Sequence, residues 1–464
     1  MRKRPFGFIV AAPSSGSGKT VLTLGIMEAL RRRNLSVQPF KAGPDYIDAS
    51  LHAALLKKPS YNLDTWMMGA GPVRRTFFGK SVGADLSVVE GVMGLFDGRD
   101  GKRDEGSTAH LSRLLGLPVL LVVNAEKTAR SVGALIKGFE SFDPRVNLRW
   151  VVFNRVGSPR HYGMLKDSLP KGSKVRVLGY LPKDASLAMP ERHLGLHASS
   201  TLARSRWEGF VGKACATVEK FLDIGLLLRE AAREPLRPPA NRKVRGTKAT
   251  ANGPLIAVAL DKAFSFYYEE NLDILKAFGA RIVPFSPLSD KRLPEGTGGV
   301  YIGGGYPELF AGLLEKNADM RAEIKKAASG GLPIFAECGG LMYLGRSMED
   351  MSGRVRAGAG VFPWGARMRE KRAALGYREV VVGKGCPFLG KGGILRGHEF
   401  HYSEITPPPA RVRRAFKVAG GANPPVSEGY LYKNTLASYV HIHFASNPAF
   451  AKGFVEAARR TGKL

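Results

Sequence analysis

Short β-branched runs alternate with helical periodicity along the first half of the chain. Runs at Phe6–Ala11, Leu35–Phe40, Leu86–Glu90, Pro118–Val123, Leu148–Asn154 and Val175–Tyr180 predict strands, and repeats over Lys19–Arg33, Thr108–Leu115 and Ser131–Phe139 predict helices. Apolar strands interleaved with helices imply a parallel sheet covered on both faces. A helical pattern then runs from about Thr201 to Arg233. Beyond it, Glu234 to Pro254 carries Pro235, Pro238 and Pro239 and then turns rich in Lys, Arg, Thr and Gly, the composition of a linker. A second α/β series follows at Leu255–Leu260, Asn271–Phe278, Arg281–Phe285, Gly299–Ile302, Met320–Ala328 and Pro333–Ala336. The expected organisation is α/β with two doubly wound domains, residues 1–233 and 254–464, joined by a linker at 234–253.

A chain of 464 residues suits two to three domains at roughly 150 residues each. With 44% hydrophobic and 24% charged residues, wholesale disorder is excluded. No apolar run approaches the roughly 18–20 residues that span a bilayer. The basic start, Met1 to Pro5, leads into an apolar stretch broken at Pro13, Ser14, Ser15 and Gly16, unlike a signal peptide. A cytoplasmic protein with no membrane partner is expected. The three cysteines, Cys215, Cys338 and Cys386, form no CxxC or Cys/His cluster, so neither a disulfide framework nor a structural zinc site is expected. A net charge of +30 would draw polyanions. The basic residues are scattered, with only short clusters such as Arg31–Arg33 and Arg411–Arg414, and no nucleic-acid-binding signature accompanies them. A generally basic surface and no nucleic-acid partner is the expectation.

The first chemistry-bearing segment follows the first strand: Pro13-Ser14-Ser15-Gly16-Ser17-Gly18-Lys19-Thr20, leading into a helix. A turn of this kind converges backbone N–H groups on phosphate oxygens, and the new helix N-terminus adds partial positive charge. Lys19 would reach the outer phosphates and the Thr20 hydroxyl would ligate Mg²⁺. Pro13 stands where the common GxxxxGK[ST] pattern begins with glycine. Around this loop the strand ends place Lys41, Asp45 and Asp48 in one turn, Glu90 after an apolar strand, and Asp97 shortly beyond. At the carboxyl ends of parallel strands, such groups would surround a bound nucleotide. Asn154, ending a later strand, could hydrogen-bond adenine.

In the second half, Pro333-Ile334-Phe335-Ala336-Glu337-Cys338-Gly339-Gly340 puts a cysteine between an apolar strand and a helix, in outline a nucleophile elbow. The helix N-terminus would lower the thiol pKa. Amides of Gly339 and of the turn at Gly303, Gly304 and Gly305 would form an oxyanion hole. Ser438 to Phe444 offers His441 and His443 as bases. Cys215 lies in a helical pattern and Cys386 in a glycine-rich loop, so neither has comparable surroundings.

Taken together, these segments resemble the cobyrinate a,c-diamide synthase family over both halves of the chain. The resemblance is carried by Pro13–Thr20, Lys41–Asp48, Glu90–Gly98, Leu178–Pro182, Pro190–His193, Phe264–Tyr268, Gly303–Glu308, Ala336–Leu344, Arg396–Ser403 and His441–Pro448. It implies an N-terminal P-loop domain similar to dethiobiotin synthetase, which accounts for Pro13, and a C-terminal class I glutamine amidotransferase domain. It also implies ATP- and glutamine-dependent amidation of the a and c acetate groups of a corrinoid, through an acyl phosphate and channelled ammonia.

By the same resemblance Cys338 is the nucleophile and His441 its base. Ser14, Ser15, Gly16, Ser17, Gly18, Lys19, Thr20 and Asn154 hold ATP; Thr20, Asp45 and Glu90 hold Mg²⁺; and Lys41, Asp48 and Asp97 handle the substrate or acyl phosphate. The partners implied are ATP, glutamine and a tetrapyrrole polycarboxylate suited to the basic charge, with a homodimer left open. Two positions depart from the pattern. His443 stands where most class I amidotransferases carry Glu, as in the cobyrinate branch, and Asn124 stands where Asp is usual. Hydrogenobyrinate, nickel-sirohydrochlorin and sirohaem remain alternative substrates, and a partition-type P-loop ATPase or a non-catalytic tetrapyrrole scaffold is the more distant alternative.

Overall fold

The computed structural model describes residues 5–189, 201–236, 252–420 and 423–461 and divides the chain into two units, residues 1–244 and 245–464. The Pro190–His193 motif and most of the expected linker lie outside the described residues.

In the first unit, strands β1 (Phe6–Ala11), β2 (Val37–Ala42), β3 (Tyr61–Leu63), β4 (Leu86–Glu90), β5 (Val119–Asn124), β6 (Leu148–Val156) and β7 (Arg176–Pro182) form one parallel sheet. Their order is β3-β2-β4-β1-β5-β6-β7. Phe8 and Val10 face a core shared with Leu22, Ile26 and Leu30 of helix α1 (Lys19–Arg32). Cys215 and Val218, on the helix Thr201–Phe221, close the same core, so Cys215 serves packing. The long helix expected to Arg233 is two helices. Leu222 leaves the first to bridge Gly179, and the Asp223 side chain caps the second, Ile224–Ala231, by accepting from Leu226 N. Adjacent strands β1 and β4 lead away in opposite directions, to β2 and to β5, which opens a crevice at their carboxyl ends.

The second unit contains β8 (Leu255–Ala259), β9 (Phe264–Phe266), β10 (Arg281–Phe285), β11 (Thr297–Ile302), β12 (Gly304–Gly305), β13 (Ile334–Glu337), β14 (Ser347–Glu349), β15 (Val355–Ala357) and β16 (Gly365–Met368). It continues with β17 (Ala374–Val382), β18 (Ile394–His401), β19 (Ser403–Ile405), β20 (Arg413–Gly420), β21 (Asn423–Tyr432), β22 (Thr435–Ser438) and β23 (His441–Ile442). The main sheet runs β10-β8-β11-β13-β22-β21-β20-β17-β18-β23. Its first five strands are parallel and both faces are covered. Leu255, Ala257 and Ala259 face one core, while Ile256 and Val258 face the other. The expected α/β class therefore holds, and from β22 onward the sheet adds an antiparallel half. Among the described residues no helix is long and apolar enough to cross a membrane.

Candidate functional site

Each unit carries a cluster at the carboxyl ends of its parallel strands. In the first, β1 ends at Ala11 and the chain turns through Pro13–Gly18 into α1. Gly18 has a φ of 96°, and a Cβ there would lie 2.1 Å from Asn154 Nδ2, so both backbone and space call for glycine. Asn154 Nδ2 donates to Ser17 O at 2.9 Å, and its Oδ1 accepts from Arg155 N at 2.8 Å. Its amide therefore braces the phosphate loop. Lys19 is buried and donates to the carbonyls of Met93 (2.6 Å) and Ser14 (3.3 Å). Burial, and then the like charge of Lys41, holds Lys19 below the usual lysine range.

Parallel pairing sets Lys41 of β2 beside Glu90 of β4. Lys41 Nζ donates to Asp48 Oδ2 (2.6 Å), Glu90 Oε1 (3.2 Å) and Gly91 O (2.9 Å). The Thr20 hydroxyl donates to Glu90 Oε1 at 2.7 Å and lies 3.4 Å from Asp48 Oδ1. Burial opposes the charge on Lys41, but Asp48, Glu90 and Asp45 outweigh it and hold the ammonium protonated. Of the two coupled carboxyls, Asp48 is pushed up by burial and by Glu90. Glu90 is held well down, against burial, by Lys41 and His52.

Two acids expected in this cluster act on Lys41 and Lys19 only through their charge, since their carboxylates accept from backbone amides. Residues 41–48 are not one turn: Asp45 is the N-cap of helix α2 (Tyr46–Leu56), with Oδ1 accepting from Asp48 N at 3.0 Å. Asp97 is exposed, and its Oδ2 accepts from Gly94 N at 2.8 Å within its own loop. Asn124 is exposed too, its Oδ1 accepting from Glu126 N. The sequence reading missed buried His52, whose Nε2 lies 2.8 Å from Glu90 Oε2 and whose Nδ1 lies 3.3 Å from Ser60 Oγ. Its signal was the spacing of four from Asp48 on α2, which puts both on one helix face. Among the described residues no group of three His, Cys, Asp or Glu side chains is arranged to hold a metal. Thr20 and Glu90 supply the oxygen donors that suit Mg²⁺ shared with phosphates.

In the second unit β13 ends at Glu337, and Cys338 stands between it and the helix Gly339–Leu344. Cys338 has φ 49° and ψ −102°, a conformation that costs a non-glycine residue about 1–3 kcal/mol. Two backbone bonds enforce it: Cys338 N to Ser438 O (2.8 Å) and Gly340 N to Gly303 O (3.1 Å). A Cβ on Gly339 would stand 3.1 Å from Gly305 N, so the glycine turn abuts the start of this helix. A Cβ on Gly304 would stand 2.3 Å from His441 Cε1, so only glycine lets that turn meet the imidazole face. Cys338, the Gly304–Gly305 turn, Gly339 and His441 thus belong to one site.

His441 is buried and held down to about 3, by burial first and then by His398 and His401. The thiol corrects an expectation. Burial, with Glu308 and Glu399, pushes Cys338 up, exceeding what the helix end and the Gly339 N–H return. Both groups rest neutral, so attack requires the thiol proton to pass to the imidazole as substrate arrives. Nearby, His401 stacks on Tyr439 at 3.9 Å and pairs with Glu399, which also accepts from Arg378.

His443 lies against the Tyr268 ring at 4.7 Å, and its Nδ1 accepts from Ala445 N. Burial holds it at about 3, against about 6.5 for an unfolded histidine. Between those values the unfolded chain binds a proton that the folded chain does not, so this residue removes stability as pH falls below about 6.5. On going from about pH 7.5 to about pH 5.5, His443→Gln should gain about 1.4 kcal/mol relative to wild type, read from hydrogen exchange in β22. A difference that stays flat with pH would show that His443 protonates inside the fold.

Comparison with known proteins extends to both units. Residues 8–196 match the CobQ/CobB/MinD/ParA nucleotide binding domain family, and residues 255–449 match the CobB/CobQ-like glutamine amidotransferase domain family. A crystal structure of a glutamine amidotransferase, 18% identical with a TM-score of 0.33, covers 44% of this chain and 98% of its own. The cobyrinate a,c-diamide synthase of Caldanaerobacter subterraneus is 40% identical, over 98% of this chain and 99% of that protein. That of Listeria innocua is 42% identical over 97% and 99%, and that of Salmonella typhimurium 39% over 99% and 100%. With similarity at this level running through both the phosphate loop and the cysteine elbow, the chain belongs to the cobyrinate a,c-diamide synthase family.

Proposed function

We propose that this chain is a glutamine-hydrolysing ligase that amidates the a and c acetate carboxylates of cobyrinate in cobalamin biosynthesis. One observation carries the reading. A strained cysteine and a buried histidine that meet the same glycine turn, and a phosphate loop beside a Lys–Asp–Glu cluster, occur in one chain related end to end to enzymes of that name.

In the glutaminase half, His441 takes the Cys338 proton as sulfur attacks the amide carbon of glutamine. Backbone N–H groups of Gly305 and Gly339 face the developing oxyanion. His441 then gives that proton to the amide nitrogen, which departs as ammonia, and water cleaves the glutamyl thioester to glutamate. In the synthetase half, a substrate carboxylate oxygen attacks the γ-phosphorus of ATP, ADP leaves, and ammonia displaces phosphate from the acyl phosphate. Lys19 and Lys41 place positive charge about the transferred group. Mg²⁺, held by Thr20 and Glu90, would neutralise phosphate charge when bound. Ammonia released in the first reaction is the nitrogen donor of the second. The net charge of +30 favours capture of a polycarboxylate, and use of ATP and glutamine suits a cytoplasmic enzyme.

The test is glutamate release from glutamine with and without cobyrinate and ATP. Release that rises at least about tenfold when both are present is the expected result. Release that ignores cobyrinate but responds to hydrogenobyrinate, nickel-sirohydrochlorin or sirohaem would reassign the macrocycle.

A further inference from the structure

The strand carrying the base is two residues long and, among the described residues, pairs with β18 alone, through Gly397 with Ile442 and His398 with His441. So short a ladder holds a side chain poorly by itself, and His443 contributes no carboxylate to fix the His441 ring. The peptide groups just after His441 are instead gripped by two buried side chains from other elements. Ile442 N donates to Glu337 Oε1 at 2.7 Å, and Ile442 O accepts from Asn271 Nδ2 at 2.7 Å. Asn271 Oδ1 also accepts from Phe444 N at 2.7 Å. The second oxygen of Glu337 accepts from the Tyr301 hydroxyl at 2.7 Å, which locks the carboxyl in place. Asn271 and Tyr301 are fully buried, and Glu337 is 2% exposed.

We propose that Glu337 and Asn271 are positioning residues for His441, and that Glu337 couples the base to the nucleophile because it immediately precedes Cys338 on β13. Strands β13 and β23 share no ladder, so this side chain is a direct strut between the two reacting segments. Burying a carboxyl group with no cation beside it costs stability, so its retention here marks a demand for exact hydrogen-bond geometry. Burial pushes Glu337 up to about 8, so a neutral side chain of the same shape meets that demand. In the Glu337→Gln variant the side-chain carbonyl would accept from Ile442 N, and the side-chain amide would donate to the Tyr301 oxygen.

The inference rests on the amidotransferase reading, and the experiment separates the two. Glutamate release and the pH dependence of Cys338 alkylation by iodoacetamide are measured in wild type, Glu337→Gln, Glu337→Leu and Tyr301→Phe. Peptide mass spectrometry distinguishes Cys338 from Cys215 and Cys386. Glu337→Leu is expected to lose about 100-fold in kcat with KM within about threefold, the cost of a base displaced by about 1 Å. Its Cys338 alkylation should rise with pH as for an unassisted thiol. Glu337→Gln should stay within about threefold of wild type in both measurements. If Glu337→Leu does not fold, Tyr301→Phe decides, with an expected kcat loss of about tenfold at unchanged KM. Wild-type kcat in Glu337→Leu, a rise in KM alone, or equal damage from glutamine and leucine overturns the proposal. Absence of Cys338-dependent release in wild type overturns the amidotransferase reading instead.

Discussion

Cys338→Ala is expected to lower glutamate release by about 1,000-fold or more while leaving ammonia-driven amidation of the acceptor near the wild-type rate. The prediction separates two chemistries that one chain joins. Alanine keeps Cβ, so the unusual backbone at φ 49° is no more strained than before, and the hydrogen bonds from the 338 and 340 amides stay in place. What disappears is the sulfur, and with it the thioester through which nitrogen leaves glutamine. The measurement is ADP formation coupled to amidation, with ammonium salt in place of glutamine. Glutamine-dependent turnover surviving in the variant would remove Cys338 from the mechanism. Loss of the ammonia-driven reaction as well would show that the elbow supports the other site's chemistry.

The second large effect is expected from Lys41→Met. Lys41 Nζ sits between Asp48 and Glu90, with exposures of 2% for the lysine and 0% for Glu90. Methionine matches the stem and removes the charge, leaving Glu90 ionised and buried beside a second carboxyl group. Breaking such a pair from one side costs about 3–5 kcal/mol, far more than the pair itself is worth. The first unit should therefore unfold at lower temperature, and ATP-dependent amidation should fall about 1,000-fold. Basal glutamate release, which belongs to the other unit, should persist. Adding Glu90→Gln to Lys41→Met should recover part of the lost stability, because it removes the orphaned charge, although activity stays low. Calorimetry of the two single variants and the double variant measures this. A Lys41→Met protein as stable as wild type, or a double variant worse than the sum, would refute the account of the cluster.

Much of the scaffold was legible because apolar runs declare parallel strands. Phe6–Ala11 and Leu86–Glu90 are strands with the expected bounds, and Thr108–Leu115 is a helix with those bounds. The second strand begins two residues later than expected and runs on to Ala42, since buried Gln38 and Lys41 interrupt its apolar character. The helix after Asp45 resembles a turn in sequence because its opening is crowded with polar groups, although Asp45 three residues before Asp48 is itself a capping pattern. The antiparallel half of the second sheet escaped notice. Strands such as Ala374–Val382 mix glycine, arginine and glutamate, and most of their residues are only partly buried.

Within the sites, Lys19, Thr20, Lys41, Asp48 and Glu90 come together as strand ends predicted. Asp97 and Asp45 show the limit of that reasoning. A strand end locates a residue, but competing backbone amides decide where its side chain points, as for Asp45 and Asp97. Asn271 and Glu337 were silent for a related reason. Only tertiary packing supplies the partner of each.

The sheet of the second unit has a consequence for the order of events during synthesis. Residues 438 and 441 are neighbours in sequence, yet β22 and β23 are separated by β21, β20, β17 and β18 in the ladder. The cysteine elbow emerges from the ribosome well before the base, and β23 can be seated only after β18 has found its place beside β17. Until then the Cys338 thiol has no proton acceptor at His441. Glutamine is spared, and ammonia is not released, until the last strand of the sheet closes on the rest.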